Sequence, residues 1–115
     1  MVVENLARTQ KTEKVRYDYF YRLLKNEISI TYGTDTVKLQ SYGIEVERQD
    51  FVDNKLMNIE RDSVKSISTQ RYKVHNLLKM LYDNLVSPIH LIEVLGENID
   101  EYIVDFDKEI KYIAY

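Results

Sequence analysis

The sequence predicts an α+β domain, an antiparallel β-meander of four to five strands packed against a C-terminal helical hairpin. Apolar and polar residues alternate through most of the first 67 positions, as they do in strands with one buried side. After Ser68 the apolar residues recur every three or four positions, as on one side of a helix. With 115 residues the chain is long enough for one core, and we expect a single domain over residues 1–115.

The β-meander is predicted over residues 1–67. Its first strand is expected from Val2 to Arg8. The apolar residues then occupy odd positions up to Leu23 and even positions from Ile28. Because a two-residue turn would bring both apolar sets to one face, this change of phase predicts a tight hairpin turning at Lys25-Asn26.

Two further features divide the rest of the meander. After a break that begins at Gly33, the apolar residues change phase again, which predicts a β-bulge between Gln40 and Gly43. Asp53-Asn54 is predicted to form a two-residue turn, because both residues tolerate a left-handed backbone. The strand that follows this turn is expected to end near Ile67.

The helical hairpin is predicted over residues 68–104. Its first helix is expected from about Gln70 to Val86, and Ser87-Pro88 ends it and starts the second. Gly96 is a candidate break within the second helix. Residues 105–115 are read as a tail or a short strand.

Composition narrows the classes of protein that the chain can belong to. The hydrophobic fraction of 44% and the charged fraction of 30% are ordinary for a globular protein. The chain has no cysteine, so disulfides, thiol nucleophiles and thiolate metal centres are excluded, and we expect a cytoplasmic protein. No apolar stretch reaches the roughly 20 residues that a membrane helix needs, so we expect no membrane contact.

Several stretches resemble a small uncharacterised bacterial family, a domain of unknown function. The resemblance runs from about Arg16 to Asp107 and is clearest in SYGIEVERQD, NIERDSVK, VHNLLKMLYDN and SPIHLI, which begin at positions 41, 58, 74 and 87. It implies a short cytoplasmic protein that stands alone. It implies no reaction, cofactor or catalytic residue.

A cluster of carboxylates is the first candidate site. If Val52 pairs with Lys55 and the ladder continues without a shift, Glu47 faces Glu60 and Glu45 faces Asp62 on one side of the sheet. Like charges directly opposite each other destabilise a sheet, so a bound magnesium, manganese or calcium ion would explain the arrangement. The alternative is a solvated strand surface whose charges are neutralised by neighbouring lysine or arginine side chains.

An anion site is the second candidate, at the start of the first helix. The helix dipole already makes this end positive, and the sequence adds cations there rather than carboxylates. The proposed ligands of a phosphate or carboxylate group are Arg61, Lys65, Arg71 and Lys73. In the alternative interpretation these side chains reach acidic residues near the C-terminus: Asp100, Glu101, Asp105 or Asp107.

An interaction surface is the third candidate. Tyr17, Tyr19 and Tyr21 share a side of their strand with other apolar residues, so they are expected to face the core. The opposite side carries Arg16, Phe20 and Arg22, which we expect to contact a protein partner or a second copy of the chain.

These observations favour a non-enzymatic regulatory or adaptor protein that acts through protein–protein contact. A phosphate loop, a dinucleotide fingerprint and a nucleophile elbow are all absent, and no cofactor is expected. The alternative is a module that binds a phosphorylated small molecule or nucleic acid, although a pI near 5.4 argues against nucleic acid. A second alternative is a metal-dependent hydrolase that uses the acidic cluster.

Overall fold

The computed structural model describes residues 1–114, with the side chains of residues 1–31 and 33–111. One antiparallel sheet, with its strands in chain order, consists of β1 (Val2–Lys11), β2 (Val15–Tyr32), β3 (Asp35–Val52) and β4 (Lys55–Ser68). It is followed by α1 (Arg71–Asp83), a single 3-10 turn (Pro88–His90) and α2 (Leu91–Ala114). The predicted α+β meander is therefore confirmed. None of the described helices is both long and apolar enough to cross a membrane.

β2 and β3 form one long ribbon. Every residue from Val15 to Tyr32 pairs with a residue of β3 without a shift, and the chain turns at Gly33-Thr34, where Gly33 has a φ of 64°. The predicted hairpin at Lys25-Asn26 is wrong, because both residues lie inside β2. The molecule measures 59 × 21 × 20 Å, and its long dimension matches an 18-residue strand at about 3.3 Å per residue.

The apolar residues move between odd and even positions for a different reason from the turn and the bulge that the sequence predicts. Leu23 pairs with Ile44, and both are completely buried under the helices. Five residues further along β2, Ile28 pairs with Leu39. Because side chains alternate between the two sides of a strand, this second pair lies on the other side of the ribbon. The apolar residues thus change sides in both strands at once, and neither strand turns there.

The register shift lies between β3 and β4, at Gly43. Tyr42 pairs with Ser68 and Ile44 with Val64, so the extra residues belong to β4. The bulge predicted between Gln40 and Gly43 therefore has the right position but the wrong strand. A Cβ atom on Gly43 would overlap the backbone carbonyl oxygens of Val64 and Lys65. The close approach of β4 explains why a glycine lies inside a strand.

The core lies between one side of the sheet and the two helices. Tyr19 and Tyr21 are buried there, as predicted, and the Tyr21 hydroxyl donates a hydrogen bond to the Val86 carbonyl at 3.0 Å. The helices contribute a stripe of fully or nearly fully buried side chains: Val74, Leu77, Leu78, Leu81, Leu91 and Leu95. This leaves the other side of the β1–β4 sheet, around Phe20, as the surface opposite the helices.

α2 is longer than the sequence pattern predicts. The tail or short strand expected at residues 105–115 is wrong through Ala114, and Tyr115 lies outside the described residues. Gly96 does not interrupt the helix. Asp105 is buried and binds Ser68 and Lys73, which anchors the second half of the helix to β4 and α1. Asp105 is a buried acid at a position where the helical pattern would have an apolar residue. Apolar periodicity alone therefore predicts a helix that ends too early.

We predict opposite effects for two glycine substitutions. Gly43→Ala forces β3 and β4 apart and should lower the free energy of unfolding by about 1–3 kcal/mol. Gly96→Ala is the matched control, because a Cβ there meets nothing within 4 Å and the helix interior favours alanine; it should raise the free energy of unfolding by about 0.5–1 kcal/mol. Urea denaturation measures both, and an unchanged Gly43→Ala midpoint would contradict the close approach.

Candidate functional site

The side of the sheet opposite the helical core, around Phe20, is the candidate site, and we call it the open face. The structure places the predicted interface residues Arg16, Phe20 and Arg22 together on it, because they alternate with the buried tyrosines of β2. Their cross-strand partners lie on the same side. The open face therefore consists of Arg16, Asp18, Phe20, Arg22, Glu45, Glu47, Gln49, Phe51, Ile59 and Arg61.

Glu47 is the centre of a charge network on the open face. Its side chain is only 3% exposed, although no helix covers it. Arg61 donates to Glu47 Oε1 through Nε at 2.7 Å, and Gln49 donates to Oε2 at 2.7 Å. Arg22 bridges Glu45 at 2.8 Å and Glu47 at 3.4 Å. The carboxylate is thus shielded from water by its own ion-pair partners.

These contacts change the ionisation of the network. Burial raises the pKa of Glu47, but hydrogen bonds from Gln49, Arg61 and Arg22 lower it by more, so the pKa lies below its ordinary value. For Arg22, burial lowers the pKa, while the bonds to Glu45 and Glu47 raise it above the ordinary value. Both groups are therefore charged at neutral pH.

Two arginines of the open face also lie over aromatic rings. The guanidinium carbon of Arg16 is 4.4 Å from the centre of the Phe51 ring, and that of Arg22 is 5.3 Å from the centre of the Phe20 ring. Each contact combines a cation–π attraction with packing of the planar group on the ring. The arginines consequently lie along the sheet rather than extending into solvent.

The predicted four-carboxylate cluster does not exist. Val52 does pair with Lys55, but the register shifts by one residue between Asp50 and Phe51, leaving Met57 as the extra residue of β4. A shift of one residue exchanges the two sides of a strand. Glu60 and Asp62 therefore lie on the helix side, opposite Arg48 and Val46, while Glu45 and Glu47 remain on the open face.

The same shift removes the argument for a metal ion. Glu47 faces Arg61 instead of Glu60, and Arg48 Nη2 lies 3.3 Å from the Glu60 carboxylate. Within residues 1–114, no three His, Asp or Glu side chains are grouped so that they could hold a metal. The register on which the metal-site prediction depended is wrong: it put Glu60 opposite Glu47, where the protein puts Arg61, and Glu60 lies opposite Arg48.

The four cations of the predicted anion site are not brought together as one site. Arg61 lies on the open face and binds Glu47. Arg71 Nε is 3.2 Å from Glu4 Oε2, on β1. Lys73 Nζ is 2.9 Å from Asp105 Oδ1, on α2. Lys65 is exposed on β4. Three of the four are therefore neutralised by carboxylates on three different elements.

The alternative interpretation of these cations is confirmed for Lys73. Burial raises the pKa of Asp105, but hydrogen bonds from Lys73 and Ser68 outweigh it, so the pKa lies below its ordinary value. Ser68 Oγ donates at 2.6 Å and also accepts from the backbone N–H of Gln70. This group joins the end of β4 to both helices and is structural.

Glu4 is the residue of this region that the sequence analysis missed. Its carboxylate bridges Arg71 and His75 Nδ1, the latter at 2.5 Å, and these residues line a shallow depression with Tyr72. The sequence carried no signal for this contact, because β1 had no predicted register against β2 or α1.

Comparison with known proteins places the chain in a family without a known role. A family described as being of unknown function, DUF6514, matches residues 1–101. This confirms the predicted resemblance and extends it to the first strand. Neither the search of curated proteins nor the search of solved structures found a match.

We predict that the free energy of unfolding depends on pH because of Glu47. Folding lowers the pKa of Glu47, so the ionised carboxylate stabilises the folded protein. This stabilisation is fully present above the ordinary pKa of glutamate and is lost as the pH falls through the pKa of the folded state. Glu47→Gln should lower the free energy of unfolding at neutral pH by about 1–3 kcal/mol. The difference from wild type should shrink as the pH falls below the ordinary pKa of a glutamate and through the lower folded-state pKa of Glu47.

Glu45→Gln is the matched control for this experiment. Glu45 is 24% exposed and pairs with Arg22 alone, so the loss should be smaller. Chemical denaturation at a series of pH values measures both variants. Equal losses for the two, or a Glu47→Gln difference that is constant with pH, would contradict the central position of Glu47.

Proposed function

The chain belongs to DUF6514, a family of unknown function, and from its own surfaces we propose that it is a non-enzymatic regulatory or adaptor protein that binds another protein through the open face. The observation that carries the proposal is that the side chains of the open face are already ordered by their contacts with one another before any partner binds. The open face is the sheet surface opposite the helical core, and its arginine and aromatic side chains are already held in place by contacts on the same surface.

The chemistry of the open face suits protein contact. Arginine and aromatic residues are enriched where proteins meet, and they provide most of the energetically dominant contacts. Arg16 and Arg22 lose little conformational freedom when a partner covers them, because their guanidinium groups already lie over Phe51 and Phe20. A partner therefore meets a preorganised surface.

The arrangement of charges favours this proposal over the two alternatives. A phosphate site needs cations that are available to the ligand, and Arg61, Arg71 and Lys73 each bind a carboxylate of the protein. A hydrolytic metal site needs carboxylates on the same side of the sheet, and the register separates Glu45 and Glu47 from Glu60 and Asp62. The cysteine-free composition fits a reducing cytoplasm, which is the location that we propose.

We predict that one substitution on the open face abolishes partner binding. The tagged wild-type protein should capture a protein partner in fixed stoichiometry from native lysate, and Phe20→Ala should lose it because the central ring of the face is removed. Tyr72→Ala is the matched control, since Tyr72 is 62% exposed on α1, on the helix side. Native mass spectrometry of the eluates, with and without nuclease, identifies what is bound.

Three results would contradict the proposal. One is a partner retained by Phe20→Ala but lost by Tyr72→Ala, which would move the binding surface to the helices. Another is a nuclease-sensitive partner. The third is a small anion in place of a protein, which would favour the phosphate-binding alternative. Circular dichroism of each variant checks that the fold is unchanged.

A further inference from the structure

The outer edge of β4 differs from the rest of the surface. β4 pairs with β3 alone, and residues 55–59 are all exposed although three of them are large and apolar. Leu56 is 48% exposed, Met57 66% and Ile59 47%. An exposed strand edge is a template for another strand, and monomeric proteins blunt such edges with charges, prolines, bulges or covering loops. The stretch from Leu56 to Ile59 contains a bulge at Met57 but neither a charged residue nor a proline.

The other edge of the sheet shows what a protected edge looks like in this protein. β1 is tied to α1 by Arg8, which donates to the Tyr82 carbonyl at 2.7 Å, and by Glu4, which binds Arg71 and His75. Its Val3 and Leu6 pack against the core. Among the side chains that the structure describes, residues 55–59 of β4 have no comparable set of contacts to a helix.

A groove runs along the β4 edge. Four consecutive residues, 59–62, line it together with Pro88 and Ile89 of the 3-10 turn. Because consecutive residues point to opposite sides of a strand, the edge of the backbone itself must form part of the groove. Ile89 is 72% exposed at its wall, while Pro88 is buried. The groove therefore offers strand hydrogen bonds beside an apolar wall.

We propose that this edge pairs with the same edge of a second copy of the chain, so that two β4 strands run antiparallel about a twofold axis at Ile59. The charges of β4 are compatible with this register, and the length and burial of the strand argue against the others. In it Ile59 faces Ile59, and Asn58 faces Glu60. If the axis instead lay at Glu60, Arg61 or Asp62, each charge would face its own copy, and an axis at Asn58 would place Lys55 opposite Arg61. An axis at Leu56 or Met57 would pair only three or five residues, because β4 begins at Lys55. An axis at Val64 would include Ile67 and Ser68, which are buried.

The resulting dimer is one continuous sheet of eight strands. With the axis perpendicular to the sheet, both helical layers lie on one side and both open faces on the other. Leu56, Met57 and Ile59 of both copies lie near the axis. The dimer surface shares Ile59 and the edge of β4 with the open face but does not include Phe20 or Arg22, so variants at Ile59 and at Phe20 test the two proposals separately.

The absence of cysteine from the chain makes a direct test possible. Two residues opposite each other in an antiparallel pair have Cα atoms about 4.5–5.5 Å apart, within the range that a disulfide spans. Ile59→Cys should therefore form a disulfide-linked dimer under mild oxidation. Met57→Cys is the register control, since Met57 is 66% exposed. Its two copies would be four residues apart, about 13 Å, and should cross-link at least about tenfold less.

A second measurement does not depend on cross-linking. Light scattering with size-exclusion chromatography should give the wild type twice the chain mass of 13.7 kDa. Ile59→Lys places two charges together at the axis and should give the single-chain mass. Ile103→Lys is the matched control, since Ile103 is 60% exposed on α2, and it should remain dimeric.

The proposal would be overturned by a monomeric wild type at every concentration tested, by a dimeric Ile59→Lys, or by equal cross-linking of Ile59→Cys and Met57→Cys. An Ile59→Lys monomer that still captures a partner through Phe20 would separate this proposal from the proposed function. A Phe20→Ala dimer that captures nothing would separate them in the other direction.

Discussion

The unbroken pairing of β2 with β3 is the constraint on which the rest of the structure depends. Each residue of Val15–Tyr32 has a fixed partner, so the side of the sheet on which each central side chain lies is fixed as well. Tyr17, Tyr19 and Tyr21 are thereby directed to the helices, and Phe20 and the arginines to the open face. β1 and β4 add to the outer edges of this ribbon.

A single extra residue in β4 determines the electrostatics of the sheet. With Met57 outside the ladder, Glu47 meets Arg61 and Arg48 meets Glu60; without it, carboxylates would meet carboxylates. Like charges in direct opposition would destabilise the pairing of β3 with β4, so the sequence of β4 is compatible with only one of the two registers. The bulge is thus part of what specifies the fold and is not a defect in it.

Much of the fold could be predicted because periodicity distinguishes strands from helices, and the turn at Asp53-Asn54 was predicted because its residues allow a left-handed backbone. The prediction of a hairpin at Lys25-Asn26 was wrong because a move of the apolar residues from odd to even positions has two physical causes. The chain can turn, or the apolar side of a continuing strand can change. A signal for the second cause was present, since β2 and β3 change phase at positions that pair across the Gly33 turn.

The candidate site was predicted only as far as local sequence determines it. Arg16, Phe20 and Arg22 share a side within one strand, and no knowledge of another strand is needed to place them. Contacts between strands depend on the register of their pairing. Because the bulge at Met57 was not predicted, Glu60 and Asp62 were assigned to the wrong side of the sheet. Contacts such as Glu4 with His75 join positions 71 residues apart and leave no trace in periodicity.

The ion pairs of the open face affect how it can bind. A charged surface normally resists burial, because each ion must exchange its hydration for contacts with the partner. Glu47 has already lost its water, being 3% exposed and bound by Arg61, Arg22 and Gln49 within the free protein. The desolvation cost of this carboxylate is met by folding, so a partner need only cover a network whose charges are already satisfied. A one-layered sheet face can in this way be stable in water and still be suited to association.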